Sequence, residues 1–368
     1  MVLLFGLVPR LTKAQLNRGQ PNRDKPRYVS DGIDARQRGC YAATMGLLDR
    51  PAAALTGALS WLGRQGTRAV AISILLGVAL PPLGAIVRPY FPETVFILLC
   101  LAFLRVDPGA LRAQLAKPQL LIAAAVWIML IVPVLAGLAF TAIDLMALSP
   151  ALLLALMLNL VAPPIFASPA LAALMGLNAA ITLALLLVCI AVTPFLAPGL
   201  VALFAGSAVT FSPMALGLRL VLMLAGAAVT AIAIRSIAGR PWVERQAERI
   251  DGLSVIVLFL FAVALMGDVL SNTLAQPLHV LGLLALGCVV TFGLFALTAL
   301  VLIRVNLHTA LPLAHAAASR NTGLMLAAAA GAVPELVWLY MALLQIPIYA
   351  LPLIIKPLLR RLAQQAPV

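Results

Sequence analysis

Residues 159–176 read NLVAPPIFASPALAALMG, and residues 315–331 read HAAASRNTGLMLAAAAG. Each lies inside an apolar run long enough to cross a hydrocarbon core of about 30 Å. Each also carries something such a run should not contain. The first holds Pro163, Pro164 and Pro169, which lack a backbone N–H and clash with the preceding helical turn. The second places Arg320 near its middle, beside Ser319, Asn321 and Thr322. In lipid every backbone polar group needs a partner, so a helix is interrupted only where protein or a cavity covers the break. An intramembrane arginine is costly to insert, by at least ~2.5 kcal/mol, and by default marks function. Two interrupted spans therefore point to one buried site.

The flanking runs give these two spans their places. Apolar segments near 68–87, 91–106, 118–141, 149–174, 178–204, 215–237, 250–273, 277–303, 309–332 and 336–356 predict about ten transmembrane helices. The chain then divides at the loop from Gly206 to Pro213, and each interrupted span stands fourth in its group of five. A five-span unit repeated in tandem inserts its second copy upside down, which predicts an inverted 5+5 repeat over 68–204 and 215–362. Basic residues fix the orientation. Arg105, Arg112, Lys117, Arg235, Arg240, Arg245, Arg249, Arg304, Lys356, Arg360 and Arg361 fall on the side of the N-terminus. Arg88, Arg219, Glu93, Asp144, Asp268 and Glu335 fall on the other. The expectation is a multi-pass protein of the bacterial inner (cell) membrane with both termini cytoplasmic.

Composition excludes the main alternatives. Hydrophobic residues make up 63% of the 368 and charged ones only 10%, too few to clothe a soluble body of this length. The net charge of +13 does not signal nucleic acid, because the basic residues crowd the N-terminal tail and the short gaps between apolar runs. Cys40, Cys100, Cys189 and Cys288 are scattered, and His279, His308 and His315 are too dispersed for a metal site. Neither HExxH nor clustered aspartates occur, so the chain does not read as an enzyme and implies no cofactor. Residues 1–67 form a basic extension. The stretch from Lys13 to Gln37 is polar and aperiodic, as disordered segments are. Residues 50–66 read as a helix along the membrane surface, with Trp61 as its anchor, and Met45 is an alternative translation start.

The stretch APPIFASPALAALMGLNAAITLALL (162–186) resembles the fourth and fifth spans of the bile acid:sodium symporter family. The stretch AAASRNTGLMLAAA (316–329) resembles that family's ninth span. The resemblance covers roughly residues 68–362. It implies a panel domain and a core domain, with spans 4 and 9 crossing at unwound centres. It also implies organic-anion substrates and sodium ions at the crossing. The sequence departs from the family at that place. Pro169 stands where the family has asparagine after serine, and Ala316 where it has an acidic sodium ligand. Arg320 replaces a glutamine, and Leu186 a hydroxyl residue. Sodium wants several oxygen ligands, and alanine and proline side chains supply none. A permanently charged guanidinium would also repel a nearby ion.

The reading is thus a secondary transporter of a small organic anion by alternating access. Arg320 stands in place of a cation, and two-sodium coupling is lost. The substrate or ion-binding candidates are Ser168, Thr182, Asn178, His315, Arg320, Asn321 and Thr322, with Pro163, Pro164 and Pro169 as the helix break. Arg320 either receives the substrate's carboxylate or caps carbonyls of the broken helix. His315 either carries a coupling proton or is a buried neutral imidazole. Asn159 and Asn178 either line the cavity or tie helices together. The coupling ion is a proton, a residual sodium ion or none. An ordinary sodium symporter and a non-transporting membrane sensor on the same fold are the alternatives. The implied surroundings are the lipid bilayer and a monomer or homodimer.

Overall fold

The computed structural model describes residues 57–62, 72–73, 75–106, 109, 118–208, 211–302, 306–329 and 333–365. Among them the chain is helical, and its one β-bridge is isolated. In chain order the helices of seven residues or more, from Pro81 on, are α1 (Pro81–Val87), α2 (Phe91–Leu104), α3 (Pro118–Val126), α4 (Val132–Ala142), α5 (Pro150–Leu160), α6 (Ser168–Leu174) and α7 (Ala179–Ala205). They continue as α8 (Pro213–Ala238), α9 (Ala247–Met266), α10 (Val269–Ala275), α11 (Pro277–Leu302), α12 (Leu307–Ala318), α13 (Thr322–Ala329) and α14 (Glu335–Gln365).

Seven helical stretches are long and apolar enough to span a bilayer. They are Pro81–Leu104, Pro118–Ala142, Ala179–Ala205, Pro213–Ala238, Ala247–Ala275, Pro277–Leu302 and Glu335–Pro357. Their outer faces expose large apolar side chains such as Leu135, Phe195, Leu222, Ile232, Leu278 and Val289. In water such a surface would drive association, whereas lipid solvates it. The chain is an all-α, multi-pass membrane protein.

The difference between seven stretches and ten expected spans has a local cause. The runs at 149–174 and 309–332 are each cut into two short helices, α5 with α6 and α12 with α13. Neither piece alone has the length of a span. The boundary expected at 87–91 is a single 3-10 turn, Arg88–Tyr90, so α1 and α2 follow one another without a loop. The expectations for residues 1–56 and 63–71 lie outside the described residues. Residues 57–62 are helical, and Trp61 is exposed.

Helices α1, α2, α8 and α9 pack on one another, while α3 to α7 and α11 to α14 form the rest of the body. The two groups meet where α7 lies against α8, α13 against α2 and α8, and α14 against α9. Glycines set the closest approach. A Cβ on Gly84 would stand 2.7 Å from the Cα of Gly267, and one on Gly77 2.8 Å from the carbonyl oxygen of Ala262. Small residues that let helix backbones touch supply the packing that apolar burial cannot supply in lipid.

Candidate functional site

The two helix breaks meet each other. Pro163 and Pro164 stop α5, because neither can donate to the preceding turn. The chain then runs extended and pairs antiparallel with the break between α12 and α13, Pro164 facing Arg320. Two backbone bonds hold the pair: Ile165 N donates to Ser319 O at 2.8 Å, and Asn321 N donates to Pro163 O at 2.7 Å. The prolines cost the ladder nothing, since the bridge uses a Pro163 carbonyl and the N–H of Ile165. Backbone groups freed by one break are thus satisfied by the other.

Arg320 is 1% exposed. Its Nη1 donates to Ala162 O at 2.9 Å and its Nη2 to Ile128 O at 3.1 Å. Both carbonyls are free for local reasons. Ala162 follows the last turn of α5, whose orphan carbonyls form the negative end of the helix dipole. Ile128 lies in a π-turn, Trp127–Ile131, between α3 and α4. There the Val132 N–H bonds back to Trp127 O. The π-type partner of Ile128 O would be the nitrogen of Pro133, which carries no hydrogen. One proline therefore leaves a buried carbonyl open, and Arg320 fills it. Among the described residues Arg320 makes no ion pair; Met129 Sδ lies 4.0 Å from Nη1, and Nε has no hydrogen-bond partner.

The other predicted residues fall into two sets. Ser168, His315 and Ser319 lie together and are buried. The His315 ring rests against the Ser168 backbone, and its Nδ1 is 3.4 Å from Ser319 Oγ. Among the described residues, Ser168 Oγ and His315 Nε2 have no hydrogen-bond partner. The second set shapes helix ends. Asn178 Oδ1 caps α7, accepting from Ala180 N (3.0 Å) and Ile181 N (3.2 Å). Thr182 Oγ1 donates back to Asn178 O. Asn321 Oδ1 accepts from Leu324 N at 3.0 Å and so caps α13. Pro169 sits in the first turn of α6, where its missing N–H is harmless. Asn159 and Leu186 are buried in the core, as is Ala316 beside Leu313 and Cys189.

Several participants are absent from the sequence reading. Gln345 of α14 donates to Thr322 Oγ1 at 2.9 Å, tying α14 to the start of α13. Phe103 of α2 meets Phe166 of the first break edge to face, with ring centroids 5.1 Å apart. Phe261 of α9 covers Gly323, where a Cβ would stand 2.6 Å from the ring. Aromatic side chains thus close the crossing toward α2 and α9. Only the five-residue spacing of Ile128 and Pro133 offered a sequence signal, and it becomes readable once the π-turn is known. Among the described residues no three His, Cys, Asp or Glu side chains come together as metal ligands.

A comparison with protein-family models finds no match for this chain, and a comparison with curated proteins finds none either.

Proposed function

We propose that this membrane protein is a secondary transporter of a small organic anion, working by alternating access without two-sodium coupling. In this reading the ten spans form an inverted 5+5 repeat. The group α1, α2, α8 and α9 is the panel, and the remainder is the core that carries the crossing. The observation that carries the reading is Arg320, a fully buried cation at the meeting point of two interrupted helices. Among the described residues it has two backbone carbonyls for partners and no carboxylate. A sodium ion at such a place would take carbonyl oxygens as ligands. The guanidinium takes the same kind of oxygen, and a second cation beside it would be repelled. The uncompensated positive charge favours an anionic solute near the crossing, helped by the N-terminal end of α13. With both Nη atoms engaged, Arg320 acts on that solute through its field, and contact falls to neighbouring donors such as Ser168.

The test is the melting temperature of the detergent-purified chain in sodium, lithium, potassium and choline chlorides at equal ionic strength. A ligand that binds only the folded state raises the melting point by mass action. Equal melting in all four salts is expected, together with stabilisation by small carboxylates such as benzoate and uptake of those carboxylates into proteoliposomes. A sodium-specific rise would restore ordinary sodium symport. Carboxylate binding without uptake would favour a sensor on this fold.

A further inference from the structure

A cavity of about 550 Å³ lies at the end of the molecule opposite Arg105 and Arg235, lined by Ala85, Arg88, Phe91, Leu326, Glu335 and Trp338. It opens between α1–α2 on one side and α13–α14 on the other. Leu326, fully buried, belongs to the half-helix that begins at the crossing. The mouth is spanned by Arg88. Its Nη2 donates to Glu335 Oε1 and Oε2 at 2.9 and 2.8 Å, its Nη1 donates to Asp268 Oδ2 at 2.5 Å, and its Cζ lies 4.3 Å above the Trp338 ring.

These partners are not equivalent. Asp268 joins α9 to α10, on the helix group to which Arg88 belongs, and the backbones of α1 and the end of α9 touch at Gly84 and Gly267. Arg88 and Asp268 therefore move together. Glu335 and Trp338 lie in the first turns of α14, on the other helix group, where the Trp338 ring also meets Phe91 of α2 edge to face at 5.2 Å between centroids. We propose that Arg88 is a latch: it holds α14 against α1–α2 through Glu335 and Trp338, and on opening it stays with Asp268 while those contacts part. This inference rests on the alternating-access reading. A planar guanidinium suits the task, since it can pair with a carboxylate and stack on an indole at once. Asp268 keeps the arginine compensated in either position, and release leaves the exposed Glu335 carboxylate to solvent. The crossing pair is partly exposed, with side-chain exposures of 26% and 75%, and such pairs are weak enough to break during turnover.

The test places a cysteine at Leu326 of the full chain in lipid nanodiscs and follows its modification by a maleimide, above that of the parent's own cysteines. In the otherwise native chain the reaction is expected to be slow. Arg88→Ala should raise the rate roughly fivefold to tenfold, the scale of one exposed ion pair with a cation–π contact, and Glu335→Gln, which keeps the cation–π contact, by roughly twofold to fivefold. Asp268→Asn should not raise it. Methylguanidinium should slow the reaction again in Arg88→Ala, by filling the box between Glu335, Asp268 and Trp338, and should do nothing in Glu335→Gln. An unchanged rate in Arg88→Ala overturns the latch, and so does a raised rate that methylguanidinium leaves raised. A second cysteine at Ala167, on the far side of the crossing, separates the two readings. If its labelling falls while that of Leu326→Cys rises, both stand. If Leu326→Cys opens and Ala167→Cys does not respond, the latch stands as a local lid and alternating access fails.

Discussion

Pro164 and Arg320 face each other as the two members of a single antiparallel bridge, joining positions 156 residues apart in the chain. The bridge solves a problem that each residue creates. Proline leaves the end of α5 with carbonyls that nothing in the first break can satisfy, and arginine brings buried donors that nothing in the second break can accept. Placed against each other, the two deficits largely cancel.

The Ile128 carbonyl gives this arrangement its sharpest test. Pro133→Ala supplies an N–H that the Ile128 oxygen can accept, in competition with Arg320. Arg320→Gln removes the two long bonds from the other side, each a charge-assisted bond worth about 1.5–3 kcal/mol. The expected outcome is an Arg320→Gln chain less stable by about 3 kcal/mol. In a double-mutant cycle the Pro133 and Arg320 substitutions should couple by about 1 kcal/mol or more. Unfolding of the four chains in the same detergent measures both quantities. Strict additivity would separate the π-turn from the arginine.

Asn178 is placed to hold a helix end, with its side chain turned to the first N–H groups of α7. Asn178→Ala should cost about 1 kcal/mol, the usual loss of an N-cap, and Asn178→Asp should restore most of it. The same pair of substitutions at Asn321 tests the cap of α13. A residue that bound solute through its amide would behave differently. Both substitutions would then weaken carboxylate-induced stabilisation, while the aspartate left the melting point of the free protein intact.

Gly323 lies under the Phe261 ring, close enough that a methyl group would collide with it. Gly323→Ala should destabilise the chain by about 1–3 kcal/mol, the range for overpacking a filled interior. Phe261→Leu in the same chain should recover stability, because it clears the ring atoms from the position of the new methyl. Failure of that recovery would mean that glycine serves the backbone at 323 rather than the contact. Thermal unfolding of the two single variants and the double variant decides between them.

Much of the architecture was legible in the chain because lipid imposes a simple code. Apolar length gives the spanning helices, and prolines or a charge inside such a run give the breaks. Basic residues sort the loops, and Arg88, Asp268 and Glu335, sorted by the sequence to one side, stand together in the structure. The roles of the polar candidates were harder to read. An asparagine near a helix start looks the same in sequence whether it binds a solute or caps the first N–H groups of the helix. Only the bonds from Ala180, Ile181 and Leu324 show the capping.

The sequence by itself determined that the chain lives in a bilayer, where its helices break and that a cation lies at one break. Each of these follows from the local chemistry of one residue against its solvent. Tertiary structure alone decided what the breaks do for each other. Carbonyl 128, freed by Pro133, carbonyl 162, freed by the end of α5, and the guanidinium of Arg320 come from three distant segments. No local pattern records their meeting, because a backbone carbonyl carries no side-chain signature and hydrogen-bond partners are chosen in space.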